Sequence, residues 1–323
     1  MALIALDAMG GDLAPTETVL GAVDAAANGV DVVLVGDEGV VRSLLEDTGT
    51  DLSVVHAPEH VEMGENPAVA IRRKKGASVT VAARLVAHGE VAGMVSAGST
   101  GAAIAAAAIV IGRLRGVRRP AIATIFPIGS GTVILDAGAN IQASPKHLAQ
   151  FGVMGSVLAQ VYLGIEEPRV GLLNIGEEQG KGRELEKNAF RLLERMPIRF
   201  VGNVEGRDLG TDKADVFVTD GFTGNVMLKV AEGTARVIDR LVLGPVSEQE
   251  EAVEAAFLQQ RLAALRQRLD PEAYGGAHVV GAKGVVVIAH GSSSRVAIAN
   301  ALQMAADGAR SGLVRKIETA LGG

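Results

Sequence analysis

Apolar residues in this chain come in short runs of Val, Ile and Leu, separated by longer Ala/Leu/Val segments at helical spacing. That alternation constrains the fold more than any other feature. A strand with one wet face alternates apolar with polar side chains, whereas an uninterrupted apolar run belongs to a strand covered on both faces. The runs predict strands at Leu3–Leu6, Val32–Val35, Ser53–His56, Gly93–Ser96, Ile122–Phe126, Thr132–Asp136, Arg169–Ile175, Phe200–Val204, Val216–Thr219 and Val285–Ala289. Helices are predicted at Pro15–Asn28, Val40–Leu45, Ala77–His88, Ala102–Ile111, Pro145–Gly164 and Lys181–Met196. Strand, helix, strand in repetition gives a layered α/β fold around a parallel-rich sheet.

No fixed-period repeat or low-complexity linker divides the chain, so one domain over residues 1–323 is expected. One segment leaves the rhythm. Ala231 to Tyr274 reads as two helices around Gly244-Pro245, and Leu258, Leu262, Leu265 and Leu269 form a narrow apolar seam. Either a helical hairpin projects from the sheet and pairs two copies, or an ordinary helix packs on the sheet.

Composition removes several function classes. The chain has no Cys, which excludes disulfides, thiolate nucleophiles and Cys-ligated metals. A net charge of −6 with 3% aromatic residues argues against a nucleic-acid platform. The amino end lacks the basic region of a signal peptide, and no run reaches the length of a membrane span, so a cytoplasmic protein is expected.

Ligands of open parallel sheets bind beyond the carboxyl ends of the strands. Here those ends carry polar, glycine-bearing loops: Asp7-Ala8-Met9-Gly10-Gly11-Asp12, Ser96-Ala97-Gly98-Ser99-Thr100-Gly101, Asp136-Ala137-Gly138-Ala139-Asn140 and Asn174-Ile175-Gly176-Glu177-Glu178. Glu205-Gly206-Arg207-Asp208, Asp220-Gly221-Phe222-Thr223-Gly224-Asn225 and His290-Gly291-Ser292-Ser293-Ser294 complete the set. Gly allows backbone N–H groups to approach an anion, and hydroxyls donate to it. Each loop alone reads as an N-cap and tight turn; together they predict a lined cleft. No dinucleotide fingerprint, Walker A loop, nucleophile elbow or zinc-binding helix occurs. His290 alone among the six His lies at a strand end amid hydroxyls, where it suits a structural role as well as a catalytic one.

In order along the chain, the Asp7–Asp12, Val95–Ala102, Gly171–Glu178, Gly202–Asp208, Thr219–Asn225, Tyr274–Ala277 and His290–Ser293 segments resemble the bacterial phosphate acyltransferase (PlsX) family. The resemblance runs from Ala5 to about Asn300. It implies a three-layer α/β/α sandwich of the phosphotransacetylase and isocitrate-dehydrogenase kind, with a projecting helical hairpin over about 231–274. It also implies a homodimer that transfers a long acyl chain from acyl carrier protein to inorganic phosphate, giving acyl phosphate for phospholipid synthesis. No metal or cofactor is implied, and no nucleic acid. Three places depart from the family pattern: Ser99 stands where Asn is usual, Gln179-Gly180 precedes Lys181, and His278–Lys283 replaces Pro-Leu-Leu-Gly-Leu-Asn.

On that chemistry His290, Lys181, Lys229 and Asn225 are the candidate catalytic residues. His290 would carry a proton, and the two Lys would compensate phosphate charge. Candidates for substrate and phosphate binding are Asp7, Gly10, Gly11, Ser96, Gly98, Ser99, Thr100, Gly101, Asn140, Asp220 and Ser292. Asp7, Asp136 and Asp220 are expected to orient Lys or loop amides, since bare carboxylates repel phosphate. The acidic carrier protein calls for a basic patch, either Arg72-Arg73-Lys74-Lys75 or Arg113, Arg115, Arg118 and Arg119. Phe257 and Leu258, near the hairpin tip, are the candidate contact for transient docking at the inner face of the membrane. Two other readings remain open: a short-chain phosphotransacetylase acting on acetyl-CoA, and a non-catalytic acyl-carrier or lipid-sensing scaffold.

Overall fold

Burial along the strands shows why the apolar runs sit in the middle layer. In a computed structural model, which describes residues 2–126, 131–243 and 275–322, every side chain of β1 (Ile4–Asp7) is buried. Ile4 and Leu6 face one helical layer and Ala5 the other, the two-residue period of a strand covered twice. The same holds through β2 (Val32–Gly36) and β4 (Gly93–Ser96), while β3 (Ser53–His56) is a partly exposed edge. The sheet continues with β5 (Ala121–Phe126), β6 (Thr132–Leu135), β7 (Arg169–Leu173), β8 (Arg199–Val204), β9 (Val216–Val218), β10 (Ala277–Val280) and β11 (Val285–Ile288). The eleven strands among the described residues form one sheet in the order β3-β2-β1-β4-β11-β10-β5-β6-β9-β7-β8.

The helices are α1 (Thr16–Ala27), α2 (Glu38–Thr48), α3 (Pro67–Arg73), α4 (Ser78–His88), α5 (Thr100–Ala106, continued by a π-helical turn at Ala107–Ile111), α6 (Pro145–Tyr162), α7 (Glu184–Leu193), α8 (Gly221–Leu243), α9 (Arg295–Arg310) and α10 (Leu313–Ala320). Local chemistry sets several of their ends. Asp37 and Asn66 accept N–H bonds at the starts of α2 and α3, Ser144 with Pro145 opens α6, and left-handed Gly49 and Gly89 close α2 and α4. Helices α1 and α9 cover one face of the first half of the sheet, and α4 and α5 cover the other. Helices α6, α7 and α10 cover one face of the second half. The expected α/β/α sandwich is what forms.

The expected elements need several changes, and α10 was not among those expected. Strand β10 was not anticipated: Ala277-His278-Val279-Val280 is short and follows Gly275-Gly276, so its apolar run is weak. Helix α3, which carries Arg72 and Arg73, was also missed. The helix expected from Lys181 begins only at Glu184, leaving Lys181 to Arg183 in the loop. The first arm of the expected hairpin is the end of α8, which starts ten residues earlier than Ala231, at Gly221. The rest of that hairpin, with the Leu seam, Phe257 and Leu258, lies outside the described residues.

A larger correction concerns direction. β5 pairs antiparallel with β6, and β10 pairs antiparallel with both β11 and β5. Strands β1 to β4 and β11 are mutually parallel, as are β6, β9, β7 and β8. The second set therefore runs opposite to the first. The polar loops do not line one common cleft: those after β1, β4 and β11 leave one edge of the sheet, and those after β6, β9, β7 and β8 leave the opposite edge.

Candidate functional site

At the first edge the loops after β1, β4 and β11 dock on one another. Ser96, 1% exposed, donates its hydroxyl to Asp7 Oδ2 at 2.7 Å and accepts Gly98 N–H at 3.2 Å. Asp12 N–H reaches the Gly291 carbonyl at 2.7 Å. Gly10 is required sterically, because a Cβ there would lie 2.5 Å from Asp7 Oδ2 and 2.9 Å from Gly98 N. Burial pushes the Asp7 carboxyl above its ordinary range, against the opposing pull of Ser78, Ser96 and the Met9 and Gly10 amides. Its Oδ1 has no hydrogen-bond partner among the described residues. Asp7 and Ser96 thus hold the loops from beneath through Asp7 Oδ2 and the Ser96 hydroxyl, with the second Asp7 oxygen left unpaired among the described residues.

The outward-facing groups at this edge are others. Thr100, His290 and Ser292 are exposed, and Gly98 and Ser99 are half-buried. His290 Nδ1 lies 2.9 Å from Ser292 Oγ. The Ser99 hydroxyl accepts Ala102 N–H at 3.4 Å at the start of α5. Arg72, Arg73 and Lys75 are exposed on and after α3, which packs against α5, while Lys74 is held by Glu65 at 2.5 Å. One basic cluster therefore belongs to this edge.

The second edge is built around two buried carboxylates. Asp136, 0% exposed, accepts N–H bonds from Ile122, Gly138, Ala139 and Asn140 and from the Asn140 side chain. Asn140 also donates to the Pro120 carbonyl at 2.9 Å, so its amide is committed to the loop. Gly224 closes the approach of α8, since a Cβ there would stand 2.0 Å from the Asp136 carbonyl oxygen. Asp220 accepts Thr223 N–H at 2.8 Å and Arg183 Nη2 at 2.6 Å. Burial raises the Asp220 carboxyl, but the Thr223 amide and the Arg183 guanidinium outweigh it and hold the group below its ordinary range. Arg183 is itself raised, by Glu186 first and Asp220 second.

Around these stand the exposed candidates Lys181, Asn225 and Lys229. Lys181 Nζ is 4.0 Å from Glu178, and its carbonyl accepts the Asn174 amide at 3.1 Å. Lys229 bonds Glu232 on its own helix at 2.9 Å. Arg113, Arg115, Arg118 and Arg119 are exposed in the loop leading to β5 at this same edge. Burial, then the charges of Arg119 and Arg118, push the neighbouring His147 below its ordinary range.

The structure thus separates the sequence candidates. Asp7, Gly10, Gly11, Ser96, Gly98, Ser99, Thr100, Gly101, His290 and Ser292 gather at the first edge; Asn140, Lys181, Asp220, Asn225 and Lys229 belong to the second. Sequence reasoning missed Arg183 and Glu186, which bridge Asp220 and the start of α7. Their signal was an Arg-x-x-Glu capping pair just past Gly180-Lys181-Gly182. The carboxylates of Glu177, Glu205 and Asp208 also cluster, and the Lys213 ammonium supplies the cation there, 2.6 Å from Glu177 and 2.9 Å from Asp208. Beside the second edge, under α8, lies an apolar cavity of about 890 Å³.

Comparison with known proteins places these features in context. A family model described as "fatty acid synthesis protein" matches residues 2–316. The chain is 48% identical over 325 residues to a phosphate acyltransferase of Desulforamulus reducens, covering 99% of this chain and 98% of that one. It is 47% identical over 321 residues to a phosphate acyltransferase of Thermus thermophilus, covering 98% of each. Among solved structures, a phosphotransacetylase from Streptococcus pyogenes superposes with a TM-score of 0.66 at 17% identity, covering 96% of this chain and 94% of that one. A 4-hydroxythreonine-4-phosphate dehydrogenase from Klebsiella pneumoniae gives 0.57 at 14%, with 96% and 100% covered. These two likenesses are of fold.

Proposed function

The chain belongs to the phosphate acyltransferase family, and from that premise we propose that it moves a long-chain acyl group from acyl carrier protein to inorganic phosphate. The acyl phosphate so formed would feed phospholipid synthesis. The observation that carries this reading is the match to phosphate acyltransferases at 48% identity over 99% of the chain.

The chemistry sets what the residues must do. An oxygen of hydrogen phosphate attacks the thioester carbonyl carbon, the C–S bond breaks, and the proton of hydrogen phosphate ends on the departing thiolate. Phosphate is already an anion near neutral pH, so no side-chain nucleophile is required. The site must strip water from phosphate, hold it against the carbonyl at roughly 3–3.5 Å, and stabilise the oxyanion. In this reading Lys181 and Asn225 hold phosphate, Thr100, Ser99 and Ser292 donate hydroxyls, and His290 relays the proton. Lys229 adds positive charge along α8. Asp7, Ser96, Asp136, Asn140 and Asp220 position the loops, a role that their burial supports.

His290 and Lys181 stand at opposite edges of one sheet. We propose that a homodimer completes the site, with the first edge of one copy facing the second edge of its partner. The segment 231–274 is proposed to hold the pair together, with transient contact of its Phe257 and Leu258 at the inner face of the membrane. Among the described residues no helix is long and apolar enough to cross a membrane. Of the two basic clusters, Arg113, Arg115, Arg118 and Arg119 are the better placed for the carrier protein, sharing an edge with the cavity.

The test is phosphate-dependent release of carrier thiol from palmitoyl–acyl carrier protein, with acyl phosphate trapped by hydroxylamine and acetyl-CoA run alongside. Thiol and hydroxamate in equal amounts, both absent without phosphate, is the expected result. Turnover of acetyl-CoA alone would replace the long-chain substrate by a short one, and carrier binding without turnover would leave a scaffold.

A further inference from the structure

Among the described residues, three of the four helix–sheet faces are filled by large apolar clusters, but the face of β7, β8 and β9 beneath α8 has only the small cluster Leu173, Val204, Ala214 and Phe217, with Leu209 and Met227 packed against it. The space left is the cavity of about 890 Å³. Its outer wall is one stripe of α8, formed by Thr223, Val226, Met227, Val230, Ala231 and Thr234 at the three- and four-residue steps of a single helix face. Val226 and Val230 remain 47% and 63% exposed, an apolar surface without a partner among the described residues.

The cavity is polarised along its length. Asn174, Arg183 and Thr223 lie at the end beside the second edge, where the phosphate-holding residues are proposed to sit. Phe126, Ala231 and Thr234 lie at the other end. From Thr223 to Thr234 α8 rises roughly 16 Å at about 1.5 Å per residue. An extended hydrocarbon built of C–C bonds of about 1.5 Å spans that distance in roughly a dozen carbons. Apart from Phe126 the described residues of the wall carry no aromatic ring, so they offer aliphatic contact and adaptable Met227 packing rather than a stacking platform for a planar ligand.

We propose that this cavity holds the acyl chain of the substrate, with the carbonyl beside Arg183 and the chain running toward Phe126, and that Ala231 and Thr234 line the part reached only by long chains. The assignment rests on the acyl-transfer reading above. It makes α8 the ruler of the enzyme and predicts specificity by chain length rather than by branching.

Ala231→Phe fills the far half of the cavity without entering the packed core. The ratio of kcat/KM for palmitoyl to octanoyl thioester is expected to fall about thirty-fold or more, because each lost methylene contact weakens binding by a modest factor and several are lost together. Thr234→Leu, one turn further on, is expected to shift the ratio the same way by less. Val296→Phe on α9 is expected to leave it unchanged. A second readout needs no turnover: cis-parinaric acid should bind the wild-type chain, be displaced by palmitate, and bind Ala231→Phe at least ten-fold more weakly. Equal losses for both chain lengths, or no fatty-acid binding to the wild type, would overturn the assignment. So would a variant that binds the probe normally but elutes as a monomer, which would give the groove to a second copy. If the wild type lacks phosphate-dependent turnover yet binds the probe in an Ala231-sensitive way, the cavity assignment stands and the transferase reading fails.

Discussion

The two edges of the sheet use the same residue for opposite electrostatic ends. Asp7 ends β1 and Asp220 lies just past β9, each opening a glycine-bearing loop at the end of an apolar strand. Asp7 is closed in under Gly10 and Gly98 with hydroxyls and amides for company, and burial drives its carboxyl up. Asp220 is buried as deeply by exposure, 3% against 2%, yet Arg183 and the Thr223 amide hold it down. Burial disfavours the charged form at both; what differs is whether a cation reaches in. A carboxylate at a strand end is thus a loop organiser by default, and its charge is decided by a residue far away in sequence.

The largest effect should come at the second edge. Asp136→Ala would strip the acceptor from four backbone N–H groups, each costing about 1–3 kcal/mol when left buried and unpaired. The variant is expected to be insoluble or to melt at least about 10 °C lower, taking roughly 2–4 °C per kcal/mol for a large domain. A melting curve within 2–3 °C of the wild type would mean that edge is not organised by this carboxylate.

Next in size is the catalytic comparison between the edges. His290→Ala and Lys181→Ala should each lower kcat by roughly a hundred-fold or more. Mixed after dissociation, they should recover about a quarter of wild-type turnover, since half of the dimers are mixed and each of these has one intact composite site. No recovery in mixed dimers would place both residues in one chain's site and break the composite reading.

Acid titration sharpens the same contrast at about 2 kcal/mol. Because its folded pKa is lowered, Asp220 stabilises the fold fully above the ordinary carboxylate value near 4, and loses that contribution as pH falls through its lower folded value. Asp7, with a raised folded pKa, works the other way: ionising it costs stability at higher pH, and the cost is relieved as pH falls toward 4. Urea melts should show Asp220→Asn weaker than wild type at pH 7 by about 2 kcal/mol, with the gap closing in acid. Asp7→Asn should be neutral or slightly stabilising at pH 7. The reverse order would mean that Arg183 does not stabilise the Asp220 carboxylate.

The smallest effect concerns the basic clusters. Reversing Arg118 and Arg119 to Glu should raise KM for acyl carrier protein by about ten-fold at low salt, and less at high salt. The same change at Arg72 and Arg73 should stay within about two-fold. Equal effects would remove the preference for the second edge.

Much of the architecture was legible in the sequence. Ten of the eleven described strands were predicted within about two residues, most of them because a strand buried on both faces has no choice but a continuous apolar run. The loops that matter were legible too, as polar glycine-bearing ends. Strand β10 was hidden by its shortness and its His278, whose ring packs 4.8 Å from Tyr162 and is pushed down to about 4 by burial alone. The separation of the site candidates was partly written as well. Only five residues, 127–131, join Phe126 to Thr132, and so short a link permits an antiparallel hairpin but not a parallel crossover. That hairpin reverses the second half of the sheet.

By itself, then, the sequence determined the layers, the central strands, the chemistry of the loops and the family. These follow from local periodicity and from which side chains stand at which strand end. Only the tertiary structure decided that the loops divide between two edges, that Asp7 and Asp220 hold opposite charge preferences, and that a cavity lies under α8. Each of those depends on strand direction or on partners such as Arg183 and Asp220, 37 residues apart. Periodicity tells a residue which face it occupies; only packing tells it what it faces.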